Sequence, residues 1–155
     1  MSKSSNDHQN NRRIGDLAEA LTQTFLLEYV DFCFPTQNHH PADLFFELNN
    51  QVYRVQVKAR NRTPEGKYVF VQEAARTKSE IYKNYHCDLL AFVFMPDKRI
   101  LFLANTSQQN YFTFTKDIIV DNMELDSLES ALNKLHSKPV PVSYTHLRAH
   151  ETRTH

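Results

Sequence analysis

Glycine is nearly missing from this chain: Gly15 and Gly66 are the only two in 155 residues. A loop that cradles phosphate on backbone N–H groups needs several glycines, so nucleotide hydrolysis and dinucleotide binding are disfavoured. Cysteine is as scarce. Cys33 and Cys87 lack the spacing of a metal site and read as reduced, buried thiols of a cytosolic protein. Long apolar runs are absent too. Nothing approaches the ~20 residues of a membrane span, and Met1–Asn11 is polar, without the hydrophobic segment of a signal peptide. These absences predict a cytoplasmic protein with no membrane partner. Net charge is also missing, with 18 basic residues against 18 acidic ones, so the whole-chain balance does not advertise a polyanion binder.

What is present suffices for one domain with a real core. Met1–Asn11 is expected to be a disordered arm and residues 12–136 the folded domain. Residues 137–155 have no period and no apolar face and look like translated vector sequence, so they are left out of the fold and of any metal site. Within the domain, Ile14, Leu17, Ala18, Leu21 and Phe25 recur at helical spacing and predict a helix over Arg12–Tyr29. Short strands are expected at Val30–Phe34 and Tyr68–Val71, and a basic helix at Ala74–Asn84. Cys87–Phe94 is strongly apolar and reads as a central strand with Arg99–Leu103 as its returning partner. Phe112–Thr115 and Ile118–Val120 are candidate edge strands, and Ser127–His136 a closing helix. The order αβββαββ predicts an α/β (α+β) core, a central mixed β-sheet flanked by helices.

The most informative stretch is Pro41-Ala42-Asp43, followed twelve residues later by Gln56-Val57-Lys58. Leu44–Leu48 and Val52–Ala59 alternate like two strands, and Asn49-Asn50 between them suits a two-residue hairpin turn. In that register Leu44, Phe46 and Leu48 face Val55, Tyr53 and Gln51 on an apolar side. Asp43 then lies opposite Gln56, with Lys58 on the same face two residues on. Arg54, Gln56, Lys58 and Arg60 form a polar row that a one-residue slip would bury. Two readings fit these residues. One is an ordinary amphipathic hairpin with a solvated face; the other is a site where a carboxylate, an amide and an amine meet one divalent metal and one phosphate.

P-x-D followed by Q-V-K resembles the metal motif of the PD-(D/E)XK nucleases, the restriction-endonuclease-like superfamily, with Gln56 where that family usually has an acid. An upstream helix carrying Gly15 and Glu19 is similar to that family as well. Within it, the small chain, the helix-first order and the Q-V-K variant look most like homing endonucleases encoded in group I introns, with archaeal Holliday-junction resolvases next. The resemblance covers Arg12 to Asn105.

It implies a Mg²⁺-dependent, sequence-specific endonuclease that cuts double-stranded DNA to 5′-phosphate and 3′-hydroxyl ends. Asp43 would supply the anionic ligand, the Gln56 side-chain oxygen and the Val57 carbonyl the neutral ones, and Glu19 the charge that Gln56 lacks. Lys58 would hold the attacking water or the scissile phosphate. A small domain with one site must pair to cut two strands, so a homo-oligomer, dimer or tetramer, is expected.

The local charge agrees with a phosphate-binding face. From Gln51 to Arg99 there are ten basic residues against five acids, whereas Asp117–Glu129 carries five acids and no base. Lys67, Arg76, Lys78 and Lys83 are candidate backbone contacts, and Arg60, Asn61 and Arg62 candidate readers of base edges. Three rivals stay open: a resolvase or restriction enzyme of the same fold, a DNA-binding module whose catalytic site has decayed, and an interaction domain with no nucleic-acid role.

Overall fold

The computed structural model describes residues 2–37, 40–61, 64–71, 87–106 and 111–136. The chain opens with helix α1 (Ser2–Leu27). It starts ten residues before the expected Arg12, and the polar segment 2–11 continues the helix. That segment holds neither glycine nor proline, and each residue added to an anchored helix gains one backbone hydrogen bond. The buried stripe also differs from the expected one. Ala18, Thr22 and Leu26 are buried, Ile14, Leu21 and Phe25 pack beside them, and Leu17 is half exposed.

Strands β1 (Phe32–Pro35), β2 (Leu44–Leu48), β3 (Gln51–Arg60), β5 (Leu89–Phe94) and β6 (Arg99–Ala104) form a five-stranded sheet in the order β1-β2-β3-β5-β6. Its pairings are antiparallel except for parallel β3–β5, the mixed sheet expected from the sequence. A second, two-stranded sheet pairs β4 (Lys67–Val71) with β7 (Tyr111–Thr115). The expected edge strand at Phe112–Thr115 therefore belongs to this smaller sheet. Ile118–Val120 is not a strand; a 3₁₀ turn occupies Lys116–Ile118. Helix α2 (Met123–Leu135) closes the described chain. The expected helix Ala74–Asn84 and the tail lie outside the described residues. No described helix is long and apolar enough to cross a membrane.

The hairpin register is the expected one. Leu44 pairs with Val55, Phe46 with Tyr53 and Leu48 with Gln51. Asn49 and Asn50 both take positive φ, 53° and 65°, the geometry that matches a tight turn to strand twist and that asparagine tolerates best after glycine. The sheet is covered on both sides. Toward α1 and α2 it presents Leu44, Phe46, Tyr53, Val55, Ala91 and Phe102 against Ala18, Leu26, Leu128 and Leu132. Its other face carries Leu90, Phe92 and Phe94 into a core with Tyr68, Phe70 and Phe112 of the small sheet. Central β5 is buried along its whole length, which is why it reads as an unbroken apolar run. The polar row of β3 borders this second core, Gln56 beside Leu90 and Lys58 beside Phe92. Gln56 and Lys58 are half-buried as a result, not solvated.

Candidate active site

The site arises where one strand outruns its partner. β3 has ten residues and β2 five, so beyond Val55 the β2 side of β3 is left open. Asp43 occupies that opening. Its backbone N–H donates to the Val55 carbonyl at 2.8 Å, although Val55 is already the partner of Leu44. The ladder thus ends one step short of the expected Asp43–Gln56 pair, and the Asp43 side chain reaches forward instead. Its Oδ2 accepts the Val57 N–H at 2.7 Å. The N–H and C=O of one strand residue point to the same side, so the Val57 carbonyl also faces this opening. Thr36 steadies the approach: its N–H donates to the Asp43 carbonyl at 3.0 Å and its hydroxyl to the Ala42 carbonyl at 2.6 Å.

Glu19 comes from α1, one residue beyond the buried Ala18 and so at the flank of the packed stripe. There its carboxyl lies within electrostatic reach of that of Asp43. Burial, the Asp43 carboxyl and nearby Asp16 push Glu19 up to about 7. Asp43 is also raised, chiefly by burial; the Val57 N–H, the Glu19 carboxyl and the Lys58 charge offset part of that rise. Two half-buried carboxyls that oppose one another are poorly served by protein groups alone.

Four of the sequence-selected residues, Glu19, Asp43, Val57 and Lys58, are thus brought together. Gln56 precedes Val57 on β3, and its Oε1 accepts from the Cys87 thiol at 3.9 Å. Cys87 is buried beside Asn105, whose side-chain nitrogen donates to its sulfur at 3.1 Å. Burial and neighbouring Asp88 push the thiol up to about 12, so it is a neutral S–H group. Asn61 and Lys67 are exposed. Arg60 is exposed and its Nε donates to the Val69 carbonyl, tying the end of β3 to the small sheet. Arg62, Arg76, Lys78 and Lys83 lie outside the described residues. Thr36, Cys87 and Asn105 were not found by sequence reasoning, because single polar residues at strand ends carry no spacing signal.

Among the described residues there is no group of three or more His, Cys, Asp or Glu side chains. An all-acidic cage is therefore not the arrangement. The candidate donors here are oxygens: the Glu19 and Asp43 carboxyls, the Val57 carbonyl and, further along the same strand, the Gln56 amide. This set fits a hard divalent cation that keeps some of its waters, and such a cation would relieve the opposition between Glu19 and Asp43.

No family model and no curated protein matches the chain. Among solved structures its fold is similar to that of a bacterial homing endonuclease, I-Ssp6803I, with a TM-score of 0.53 and 12% identity over 81% of this chain and 96% of the other. That likeness is one of fold: an α+β domain with a mixed central sheet and helices, as expected from the sequence.

Proposed function

We propose that the protein is a Mg²⁺-dependent endonuclease that cuts double-stranded DNA at specific sites, in the manner of an intron-encoded homing endonuclease. The observation that carries this reading is the Glu19–Asp43 carboxyl pair held against the Val57 amide beside Lys58. The fold likeness to a homing endonuclease adds support.

Asp43, Glu19, the Gln56 side-chain oxygen and the Val57 carbonyl would hold the ion. Bound there, Mg²⁺ would supply Lewis-acid stabilisation of phosphate charge and a more acidic water. The remaining chemistry belongs to the chain. The Val57 N–H fixes one Asp43 oxygen and leaves the other free to turn toward a ligand. Glu19 gives up its proton as positive charge arrives. Lys58, half-buried and next to Asp43, places an ammonium where a scissile phosphate gathers negative charge and where an attacking water can be oriented. Arg60, Asn61 and Lys67 would approach the duplex along the end of β3 and the start of β4, with Arg62, Arg76, Lys78 and Lys83 as further contacts. Cutting two strands with one site per chain calls for a homo-oligomer, a dimer or a tetramer, and the products are 5′-phosphate and 3′-hydroxyl ends.

The test is cleavage of a randomised duplex library in Mg²⁺, with the broken ends sequenced, beside Asp43→Asn and Lys58→Ala. Ends that share a long motif and vanish in both variants are expected. Breaks that persist in Asp43→Asn would sink this reading. One observation favours a second: with two acids and an amide, the site has a low charge for a nuclease, as a DNA-binding module that has lost cleavage would. Duplex binding in Ca²⁺ without cleavage in Mg²⁺ would select it.

A further inference from the structure

Gln56 is the weakest member of the candidate donor set, because a side-chain amide can present oxygen or nitrogen with almost the same shape. What surrounds it decides which. Asn105 is buried at the end of β6, 7% exposed, and Cys87 is 2% exposed just before β5. The Asn105 side-chain nitrogen donates to the Cys87 carbonyl and to its sulfur, both at 3.1 Å, while its backbone N–H donates to the Asp88 carbonyl at 2.9 Å. Asn105 therefore clamps the entry to β5 and uses the sulfur as an acceptor. The thiol hydrogen is left to donate, and it faces Gln56 Oε1 at 3.9 Å. Turned over, the amide would set its NH₂ group against the thiol hydrogen, donor against donor, and the buried S–H would lose this acceptor. The direction of the chain runs one way: Asn105 to sulfur, S–H to the Gln56 oxygen. Gln56 and Lys58 share one face of β3, so the thiol that donates to Gln56 stands behind the row that carries Lys58.

We propose that Asn105 and Cys87 are positioning residues that hold the Gln56 amide oxygen, not its nitrogen, toward the ligand side of the site, so that an uncharged side chain serves as a dependable oxygen donor. The inference rests on the metal-site reading above. An amide oxygen has two lone pairs; the thiol occupies one and leaves the other for the cation. Neither residue touches the ion or the DNA. Both act through Gln56.

Packing and positioning make opposite demands on residue 87, and this supplies the test. Cys87→Val keeps an apolar side chain of similar size but loses the donor. Cys87→Ser keeps the donor but sets a hydroxyl in an apolar core. Mg²⁺ binding to the full chain is measured by titration calorimetry, with thermal melting in EDTA as the check on folding. Positioning predicts that Cys87→Val weakens Mg²⁺ binding about tenfold, as loss of outer support for a ligand typically does. Cys87→Ser should stay within about threefold of wild type even though it melts lower. Asn105→Leu should weaken binding in the same direction as Cys87→Val. In a Gln56→Ala background the Cys87→Val effect should vanish, because nothing remains to be positioned. Equal Mg²⁺ binding by Cys87→Val and wild type, affinity that simply follows melting temperature, or a Cys87→Val effect that survives in Gln56→Ala would each overturn the proposal. Asp43→Asn separates the two levels. If it binds Mg²⁺ as wild type does, the metal site itself is wrong and the positioning role falls with it; if it alone abolishes binding while residue 87 is neutral, only the positioning role fails.

Discussion

Two half-buried glutamates, Glu19 on α1 and Glu124 on α2, are served in opposite ways. Glu124 faces a cation. Its carboxylate accepts Arg99 Nε at 2.7 Å and Arg99 Nη2 at 2.9 Å, and the Ile100 N–H at 3.0 Å. Burial alone would raise Glu124, but the guanidinium and the backbone donor outweigh it and hold the carboxyl below its ordinary range. Glu19 faces another carboxyl, and burial together with Asp43 pushes it up to about 7. The first arrangement locks α2 over the edge of β6, giving two of the strand's outward N–H groups a partner when the Ser127 hydroxyl is counted with Glu124. The second leaves negative charge poorly answered at the open end of β3. A satisfied carboxylate holds a fold together; an unsatisfied one at a strand overhang is where the proposed function puts the cation.

The comparison breaks most visibly at Asp43. Asp43→Asn should reduce Mg²⁺-dependent cleavage by about 10³-fold, on the order of 4 kcal/mol of transition-state stabilisation, while its melting temperature in EDTA is unchanged or higher. Single-turnover cleavage and a melt measure both; a large drop in stability would mean that the acid is structural. Glu124→Ala is the mirror image. It leaves the Ile100 N–H without its partner and Arg99 with the Val120 carbonyl in place of a carboxylate, and should cost about 2 kcal/mol in denaturant unfolding. Cleavage per folded molecule should stay within about twofold, since the lost interaction is not made in the transition state.

Gln56→Glu sharpens the contrast by adding a third acid to the poorly served region. We expect a lower melting temperature in EDTA and Mg²⁺ affinity about tenfold higher, because charge count tunes affinity for hard cations. Titration calorimetry at constant pH decides it, and weaker binding would argue that the amide is not a ligand.

Glu19→Gln probes the same region through pH. The folded-state value near 7 lies above the ordinary carboxyl value of 4.5, so between these values the native state binds more protons than the unfolded one. The stability that Glu19 provides therefore falls as pH rises through this window and remains low above it. Relative to wild type, Glu19→Gln should gain melting temperature above pH 7, with the gain shrinking toward pH 4.5. A difference that is flat across metal-free melts would refute the raised Glu19 carboxyl. Wild-type Mg²⁺ affinity should rise over the same interval, with a proton released on binding. The smallest effect lies outside both regions: Lys67→Ala should lower the slope of log K against log salt for duplex binding by about 0.9, the value for one phosphate contact, and an unchanged slope would remove Lys67 from the interface.

The hairpin was legible in the sequence because its information is local. Alternation with period two and two asparagines suited to positive φ set the pairing of Leu44 with Val55 without reference to the rest of the chain. The apolar run at β5 was equally plain, since a strand covered on both faces cannot alternate. Local pattern also put Asp43 just before β2 and Gln56 and Lys58 on one face of β3, although the ladder ends before the expected Asp43–Gln56 pair. It did not foretell that α1 would continue back to Ser2, because a polar stretch without glycine or proline takes its conformation from the helix it joins. Nor did it foretell that β7 would leave the main sheet for β4, since an edge strand looks the same whichever sheet it joins.

The sequence by itself determined the strands, the tight turn and the residue types that can carry the chemistry, all of which depend on neighbours within a few positions. Only the tertiary structure decided that Glu19 meets Asp43, that β3 outruns β2 to open the site, and that Cys87 and Asn105 stand behind Gln56. Those contacts join residues 24, 31 and 18 positions apart in the chain. At such separations pairing is set by how helices and sheets pack, which residue spacing does not encode.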